Sequence, residues 1–380
     1  MLNTQWSFFK LLGRLRRESA TLTGYLAFIL VTFFGDGLSP GTVGGPIATV
    51  MLVGLFCVML WLAFAVVRHA EGLATLLGEP YGTLILTLSV IGIEVALISA
   101  VMITGDNKPA LARDTMFAVL MIVLNGLVGL SLVLGGLRYR LQNYNLQGAN
   151  AYLAVLIPLA VLGLILPSFT QSAPGGELSE LQGLFLISLS LILYGIFLAI
   201  QTVTHSDIFQ EAAPLSSDDP DAHHHFVVES VTVHSLGLVA AMLPIVMLSK
   251  SLAVYVDFGI ESANAPVALG GFLIAALVLT PEGLSAIQAA QKNQLQRAVN
   301  ICLGSALATI ALTIPAVLAI GWAMDRRVEL GLGNAGIVEL SATLLVSIVT
   351  FASPRTNVLL GAVHLALFAA YIMLIFDGSV

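Results

Sequence analysis

Runs of apolar residues, each about as long as a membrane is thick, follow one another along almost the whole chain. A helix needs about 20 apolar residues to cross the hydrocarbon core of a bilayer. Because lipid offers no partner for an unpaired peptide group, such runs are expected to be helical. The pattern predicts an all-α polytopic membrane protein with about eleven transmembrane helices, near residues 20–36, 46–68, 78–104, 113–137, 148–169, 181–203, 227–249, 262–291, 297–323, 334–352 and 356–377.

The composition supports this interpretation and excludes other classes of protein. Of the 380 residues, 58% are hydrophobic and 10% are charged, whereas a soluble domain carries about 25% charged residues. The net charge of −7 argues against nucleic-acid binding, and two cysteines are too few for a secreted disulfide scaffold. We therefore expect membrane lipid as a partner and no nucleic acid, while the sequence leaves the oligomeric state open.

The distribution of basic residues between the loops predicts the orientation, since cytoplasmic loops carry an excess of Lys and Arg. With the N-terminus in the cytoplasm, ten basic residues lie on the inner face and five on the outer face, which accounts for all 15. The inner set is Lys10, Arg14, Arg16, Arg17, Arg68, Arg138, Arg140, Lys292, Arg297 and Arg355, and the outer set is Lys108, Arg113, Lys250, Arg326 and Arg327. The arginines near Trp6 also predict an interfacial N-terminal segment that is drawn to anionic lipid.

A polar, acidic stretch divides the chain into two parts. It covers residues 204–226, THSDIFQEAAPLSSDDPDAHHHF, and lies on the cytoplasmic face in this topology. Five predicted spans precede it once the first is set aside, and five follow it, so the second set enters the membrane from the opposite side, as in the inverted repeats of many transporters. We divide the chain into an N-terminal interfacial segment with the first span (1–45), a first five-helix repeat (46–203), the acidic His-containing loop (204–226) and a second five-helix repeat (227–380).

A single carboxylate lies in the second span of each repeat, Glu94 in VIGIEVALISA and Glu282 in LVLTPEGLSAIQAA. A bare charge inside the bilayer is costly, so it is retained only with a partner or a function. No Lys or Arg lies deep in any predicted span to neutralise either one. Because repeat transporters bind their substrates near the midplane where the repeats meet, we expect the two glutamates to form one ion site. The alternative is a protonated Glu that hydrogen-bonds to a neighbouring helix.

The residues beside the glutamates predict oxygen ligands for a cation. Pro281 has no amide hydrogen and clashes with the carbonyl of Leu277, so we expect a helix break there, and Gly92 permits a similar irregularity in the first repeat. Carbonyls freed beside a carboxylate are hard ligands, which suit Ca²⁺ and the alkali cations. The soft ligands that copper and zinc select are absent from this region. Glu94 and Glu282 are therefore the predicted metal ligands.

Two glutamates in a low-dielectric site predict obligatory exchange. Such a site is neutral with one Ca²⁺ or with two protons, whereas the empty site carries two negative charges that are costly to bury. Only the loaded states then rearrange across the membrane, so a cation moves one way when protons move the other way. With Na⁺ or K⁺, one glutamate stays protonated and the same logic holds. We expect no cofactor beyond the transported Ca²⁺, Na⁺ or K⁺ and H⁺.

Several long segments resemble a known family. GDNKPALARDTMFAVLMIVLNGLVGLSLVLGGLRYR, PEGLSAIQAAQKNQLQRAVNICLGSALATIALTIP and PRTNVLLGAVHLALFAAYIMLIF are similar to the bacterial ChaA-type calcium/cation:proton antiporters, in the CAX branch of the calcium:cation antiporter superfamily. The resemblance runs from about residue 78 to the C-terminus. It implies two inverted five-helix repeats, proton-coupled export of Ca²⁺, Na⁺ or K⁺ across the cell inner (plasma) membrane, and essential acids that correspond to Glu94 and Glu282.

The chain departs from the family pattern beside both acids. The wider family motif reads G-N-x-x-E, whereas Ile91 and Leu279 lie three residues before the two glutamates. An amide ligand is therefore missing at both positions. The resemblance also points to Asn125, which matches the Asn of the corresponding first-repeat span, and to Ser305 in the second repeat, where the Gln that follows in the family is absent. We expect Asn125 and Ser305 to line the ion site, and the alternative for both is ordinary helix packing.

Glu229 and His234, at the start of the seventh span, are candidates for a cytosolic ion or proton path. The alternative is that Glu229 lies at the interface and His234 bonds inside the bundle. The acidic loop is either a sensor of cations or pH, since histidine titrates near neutrality, or a solvated linker. We assign no role to Glu339 or His364, which lie near the predicted ends of spans ten and eleven.

Two other functions compete with antiport. A passive cation channel would need selectivity rings rather than buried, proton-accessible carboxylates. An intramembrane enzyme is disfavoured because the H-E-x-x-H signature of metalloproteases is absent, and an ATP-driven pump is disfavoured because no nucleotide-binding loop is present. We therefore predict a secondary antiporter rather than an enzyme.

Overall fold

The computed structural model describes residues 18–78, 81–104, 109–173, 175–209 and 230–378. These ranges contain eleven apolar helices, which we number in chain order. They are α1 (Ser19–Leu38), α2 (Gly45–Leu77), α3 (Tyr81–Thr104), α4 (Leu111–Tyr139), α5 (Leu146–Phe169), α6 (Glu180–Thr204), α7 (Val231–Ser262), α8 (Ala268–Gln291), α9 (Leu295–Ala323), α10 (Asn334–Thr350) and α11 (Val358–Asp377). Two short strands, β1 (Gln142–Asn143) and β2 (Arg355–Thr356), pair antiparallel.

The helix count agrees with the prediction from the apolar pattern. Among the described residues, eight helices are long and apolar enough to cross a membrane, and α1, α3 and α10 contain shorter apolar segments. The largest differences are that α2 and α7 continue well past their predicted ends, to Leu77 and Ser262. Both extensions contain charged residues, which a hydropathy pattern excludes. The helices nevertheless continue because buried side chains such as Leu73 and Tyr255 keep packing there.

Several helices begin where the sequence supplies a polar cap. Ser179 and Gln182 form a capping box at the start of α6, in which each side chain accepts a hydrogen bond from the other residue's backbone N–H. Asn145 caps α5 by accepting from the N–H of Gln147, and Asn357 caps α11 by accepting from the N–H of Leu360. These side chains satisfy amides that have no partner within the helix and so fix where each helix starts.

The predicted helix breaks beside the two glutamates are wrong. The α-helix continues through Gly92 in α3 and through Pro281 in α8. Hydroxyl groups near the proline bond to the backbone of the same turns: Thr280 donates to the carbonyl of Ala276 at 2.6 Å, and Ser285 donates to that of Pro281 at 3.1 Å. Such side-chain bonds are one way in which membrane helices tolerate proline. The π-helical segments lie instead in α4, α5, α6 and α9.

The chain forms two compact units, and the first consists of residues 1–101 and 227–263. In this unit α2 packs along α7, and α1 lies against both. Gly24 of α1 permits this close approach, because a Cβ atom there would lie 2.8 Å from Leu62 Cδ1 of α2 and 3.0 Å from Pro244 Cβ of α7. The hydroxyl of Tyr255 on α7 also donates to the carbonyl of Leu38 at the end of α1.

The second unit consists of residues 102–226 and 264–380. Its most buried helices are α4 and α9, each with 72% of its apolar window buried, compared with 22% for α11. Helix α8 packs against both α4 and α9. Helices α4 and α11 meet through glycines, since a Cβ atom at Gly361 would lie 2.8 Å from the carbonyl oxygen of Gly129. The two units do not coincide with the predicted repeats, because each unit contains helices from both.

Candidate functional site

Glu282 and Ser305, predicted from the sequence to line one site, are in direct contact. Glu282 lies on α8, and its Oε2 accepts a 2.7 Å hydrogen bond from the Ser305 hydroxyl on α9. The neighbouring Gly283 leaves room for α4, because a Cβ atom there would lie 2.7 Å from Leu127 Cδ2. Cys302, one turn before Ser305, is buried. The carboxylate is thus held within the helices of the second unit, with a hydroxyl group as its partner.

Glu94 is also inside a membrane helix. It lies on α3 in the first unit and is 1% exposed, and it follows the buried Ile91 and Ile93. Gly92 makes room for a side chain, since a Cβ atom there would lie 2.9 Å from Met242 Cε of α7. Within the described residues, no group of three or more His, Cys, Asp or Glu side chains is arranged to hold a metal ion. The meeting of Glu94 with Glu282 stays a prediction, since they belong to different units.

Asn125 lies in the π-helical segment Met121–Leu127 at the middle of α4 and is completely buried. Its Nδ2 donates to Thr343 Oγ1 of α10 at 2.7 Å, and its Oδ1 lies 3.2 Å from His364 Nδ1 of α11. π-Helical segments inside α-helices occur frequently at functional sites. The predicted ion-site residue is therefore held by two residues to which sequence analysis assigned no role.

His364 is a correction to the sequence analysis, which placed it near a helix end. The side chain is completely buried, and its Nε2 lies 2.9 Å from the Thr350 hydroxyl of α10.

One buried face of α10 carries four polar residues, Glu339, Thr343, Ser347 and Thr350. Glu339 Oε1 makes no hydrogen bond with any described residue. The spacing of these four polar residues, close to the helical period, was the signal in the sequence that this face contacts other helices.

His234 and Glu229 were the candidates for a cytosolic path. Glu229 lies outside the described residues. His234 of α7 is 6% exposed, and its Nδ1 lies 3.3 Å from Nδ1 of the equally buried His69 of α2. His69 Nε2 lies 3.2 Å from Glu18 Oε2, and Arg68 donates to the other oxygen of that carboxylate at 3.0 Å. The His234 ring therefore bonds inside the helix bundle, which is the alternative considered for it.

The two imidazole rings pack in a reciprocal way on glycines of the opposite helix. A Cβ atom at Gly72 of α2 would lie 2.4 Å from His234 Cε1, and a Cβ atom at Gly237 of α7 would lie 2.3 Å from His69 Cε1. In each helix the histidine is followed three residues later by the glycine on which the other ring packs, in HAEG of α2 and in HSLG of α7. This repeated H-x-x-G spacing is the sequence feature that could have indicated the contact between α2 and α7.

Comparisons with known proteins identify the family and the fold. The sequence model of the sodium/calcium exchanger protein family matches residues 47–203 and 233–376. The sodium-potassium/proton antiporter ChaA of Escherichia coli is 43% identical over 361 residues, which cover 95% of this chain and 96% of ChaA. Two solved structures share the fold. YfkE has a TM-score of 0.72 at 18% identity, with 95% of this chain and 99% of that chain covered. The H⁺/Ca²⁺ exchanger CAX has a TM-score of 0.72 at 14% identity, with 96% and 88% covered.

These findings identify a polytopic membrane transporter that works by secondary antiport, neither a channel nor an enzyme. The family match covers more than half of the chain, and the similarity to ChaA extends over nearly all of both proteins. The chain belongs to the sodium/calcium exchanger protein family.

Proposed function

We propose that this chain exports Na⁺, K⁺ or Ca²⁺ in exchange for protons across the cell inner (plasma) membrane, with its N-terminus in the cytoplasm. The exchange of Na⁺ and K⁺ is suggested by the name of the relative with 43% identity, a sodium-potassium/proton antiporter. The exchange of Ca²⁺ is suggested by a fold that is shared with an H⁺/Ca²⁺ exchanger. Cation and proton compete for Glu94 and Glu282 in this proposal.

The hydrogen bond between Ser305 and Glu282 is the observation that carries the proposal. A carboxylate inside a membrane helix is costly unless it binds a proton, a cation or a donor. The Ser305 hydroxyl fits both loaded states, because it carries one donor hydrogen and two acceptor lone pairs. It donates to Glu282 Oε2 at 2.7 Å; it can also accept from a protonated carboxyl group, and with a cation bound it can turn a lone pair towards the metal. Asn125 supplies a further neutral oxygen in this proposal.

Charge balance then explains why transport requires exchange. With both carboxylates ionised and no cation bound, two negative charges remain in a medium of low dielectric, so the empty site is slow to rearrange. One Ca²⁺, one alkali cation with one proton, or two protons each make the site neutral. The loaded states are therefore the mobile ones, and each cation that leaves is replaced by protons.

Everted membrane vesicles with an imposed pH gradient test this proposal. Addition of NaCl, KCl or CaCl₂ should dissipate the gradient without ATP when the wild-type protein is present. Glu282→Gln and Glu94→Gln should each abolish this response while the amount of protein in the membrane stays the same. Glu261→Gln is the matched control, since Glu261 is exposed at the end of α7. Full exchange by either the Glu282 or the Glu94 variant would contradict the proposal.

A further inference from the structure

The hydrogen bonds around Asn125 run in one direction. The Thr350 hydroxyl lies 2.9 Å from His364 Nε2, and His364 Nδ1 lies 3.2 Å from Asn125 Oδ1. Because Oδ1 can only accept, the neutral ring must carry its hydrogen on Nδ1 and donate it to the amide oxygen, so that Nε2 accepts from Thr350. The amide Nδ2 then donates to Thr343 Oγ1 at 2.7 Å, and that hydroxyl lies 3.6 Å from Met121 Sδ. The second amide hydrogen faces Met121 Sδ, 3.5 Å from Nδ2, so every donor in this series of contacts has an acceptor.

In this series of hydrogen bonds, the oxygen of the Asn125 amide faces α11 and its NH₂ group faces α10. A rotation of the Asn125 amide by half a turn would place its NH₂ group against the N–H of His364 and its oxygen against Thr343. The contact with His364 would then join two donors, and relieving it would require the ring to move its hydrogen to Nε2 and both hydroxyls to reverse. All four polar side chains in these contacts are completely buried, so water cannot replace a lost partner. The observed orientation keeps one lone pair of Oδ1 free of the His364 bond, since a carbonyl oxygen has two.

The orientation of this amide matters more here than in relatives with the G-N-x-x-E pattern. Ile91 and Leu279 occupy the positions three residues before Glu94 and Glu282, and neither offers an amide oxygen. Asn125, which matches the Asn of the family in the corresponding first-repeat span, is the amide that the sequence still predicts at the site. A cation attracts the carbonyl end of an amide and repels the NH₂ end, so an unfixed amide would weaken cation binding.

We infer that Thr343 and His364 are positioning residues for the cation: they hold the Asn125 amide so that its oxygen is available as a ligand. The inference deepens the proposed function and rests on it. Neither residue touches the cation itself. Thr343 secures the NH₂ end from α10, and His364 secures the oxygen end from α11. Three helices of the second unit thus determine the orientation of one ligand.

Cation-dependent proton movement in everted vesicles, measured over a range of Na⁺ and Ca²⁺ concentrations, tests the inference. Thr343→Val removes the hydroxyl with little change of shape. It should raise the half-saturating cation concentration about fivefold, the equivalent of one lost hydrogen bond, and leave the maximal rate within about twofold. Thr343→Ser keeps the hydroxyl and should restore the wild-type value. Ser347→Ala is the matched control, because Ser347 lies on the same buried face of α10 and bonds only to the Thr343 carbonyl in the described structure.

His364→Asn and His364→Leu extend the test to α11. The Asn variant keeps a donor near the position of Nδ1 and should stay within about twofold of the wild-type half-saturating concentration, whereas the Leu variant should raise it about fivefold. If His364→Leu fails to fold, the Thr343 variants decide. An unchanged half-saturating concentration in Thr343→Val overturns the inference, as does an equal change in Ser347→Ala. Glu282→Gln in the same vesicles distinguishes a failure of the proposed function from a failure of the positioning role. Full activity of Glu282→Gln would refute the proposed function. If Glu282→Gln is inactive and Thr343→Val is unaffected, only the positioning role is refuted.

Discussion

Gly237 of α7 packs directly under the imidazole ring of His69, so a single methyl group added there should separate α2 from α7. A Cβ atom at this position would lie 2.3 Å from Cε1, 2.6 Å from Nε2 and 2.7 Å from Nδ1 of the ring. Non-bonded carbon atoms approach to about 3.5 Å. The ring or the helix must therefore move by about 1 Å to accept Gly237→Ala.

That movement breaks contacts that the ring makes on both sides. The bond between Nδ1 of His69 and Nδ1 of His234 is already 3.3 Å long, and it cannot survive a further displacement of about 1 Å. Overpacking of a buried site costs about 1–3 kcal/mol, and the lost buried hydrogen bond costs about 1 kcal/mol. Replacing glycine by alanine inside a helix stabilises the folded state by about 0.5–1 kcal/mol, which offsets part of this loss. We expect Gly237→Ala to destabilise the protein by about 2 kcal/mol, with no contribution counted for Glu18, which is partly exposed.

Thermal denaturation of the purified protein in detergent, followed by tryptophan fluorescence, measures this effect. Gly237→Ala should lower the apparent melting temperature by about 2–3 °C. Gly54→Ala in α2 is the matched control, since nothing lies within 4 Å of a Cβ atom there. In a His69→Ala background the ring is gone, so Gly237→Ala should cost nothing further. An equal drop for Gly237→Ala with and without the ring, or a drop no larger than that of Gly54→Ala, would refute the reasoning.

Three further predictions follow from single contacts. Ser305→Ala removes the donor to Glu282 and should raise the half-saturating cation concentration about tenfold in vesicle assays, because hydrogen bonds to charged groups contribute about 1.5 kcal/mol. An unchanged half-saturating concentration would show that the hydroxyl is not part of the site. Gly361→Ala would bring a Cβ atom within 2.8 Å of backbone atoms of α4, so it should lower thermal stability by about 1–3 kcal/mol, whereas Gly195→Ala, with open space around it, should not. Ser179→Ala removes the capping box of α6 and should cost about 1 kcal/mol, seen as faster hydrogen exchange in the first turn of that helix; unchanged exchange would contradict the assigned cap.

The fold was largely predictable because membrane helices are determined by a one-dimensional property, the length of each apolar run. The prediction failed at positions where the length of the apolar run does not determine the structure. Helices α2 and α7 extend through charged residues, because buried packing continues past the apolar run. The break expected at Pro281 is absent, since one missing amide hydrogen removes a single backbone bond and the helix continues on both sides.

The candidate site was predictable only in part. Glu282 and Ser305 lie on helices that follow one another in the chain, and the structure brings them together. The partners of Asn125 were not predictable, because Thr343 is 218 residues away and His364 is 239 residues away in the sequence. Contacts over such distances depend on how helices pack, and a single sequence carries no direct record of that packing. The polar face of α10 indicated that a contact exists, without indicating its partner.

Proton release upon cation binding is the decisive measurement, because cation and proton are proposed to compete for Glu94 and Glu282. Titration calorimetry of the purified protein with CaCl₂ and NaCl, repeated in buffers of different ionisation enthalpy, counts the protons released for each bound cation. The wild-type protein should release protons when either cation binds, and Glu282→Gln and Glu94→Gln should release fewer protons and bind the cation more weakly. Tight cation binding without proton release, or the same release from either variant, would contradict this competition.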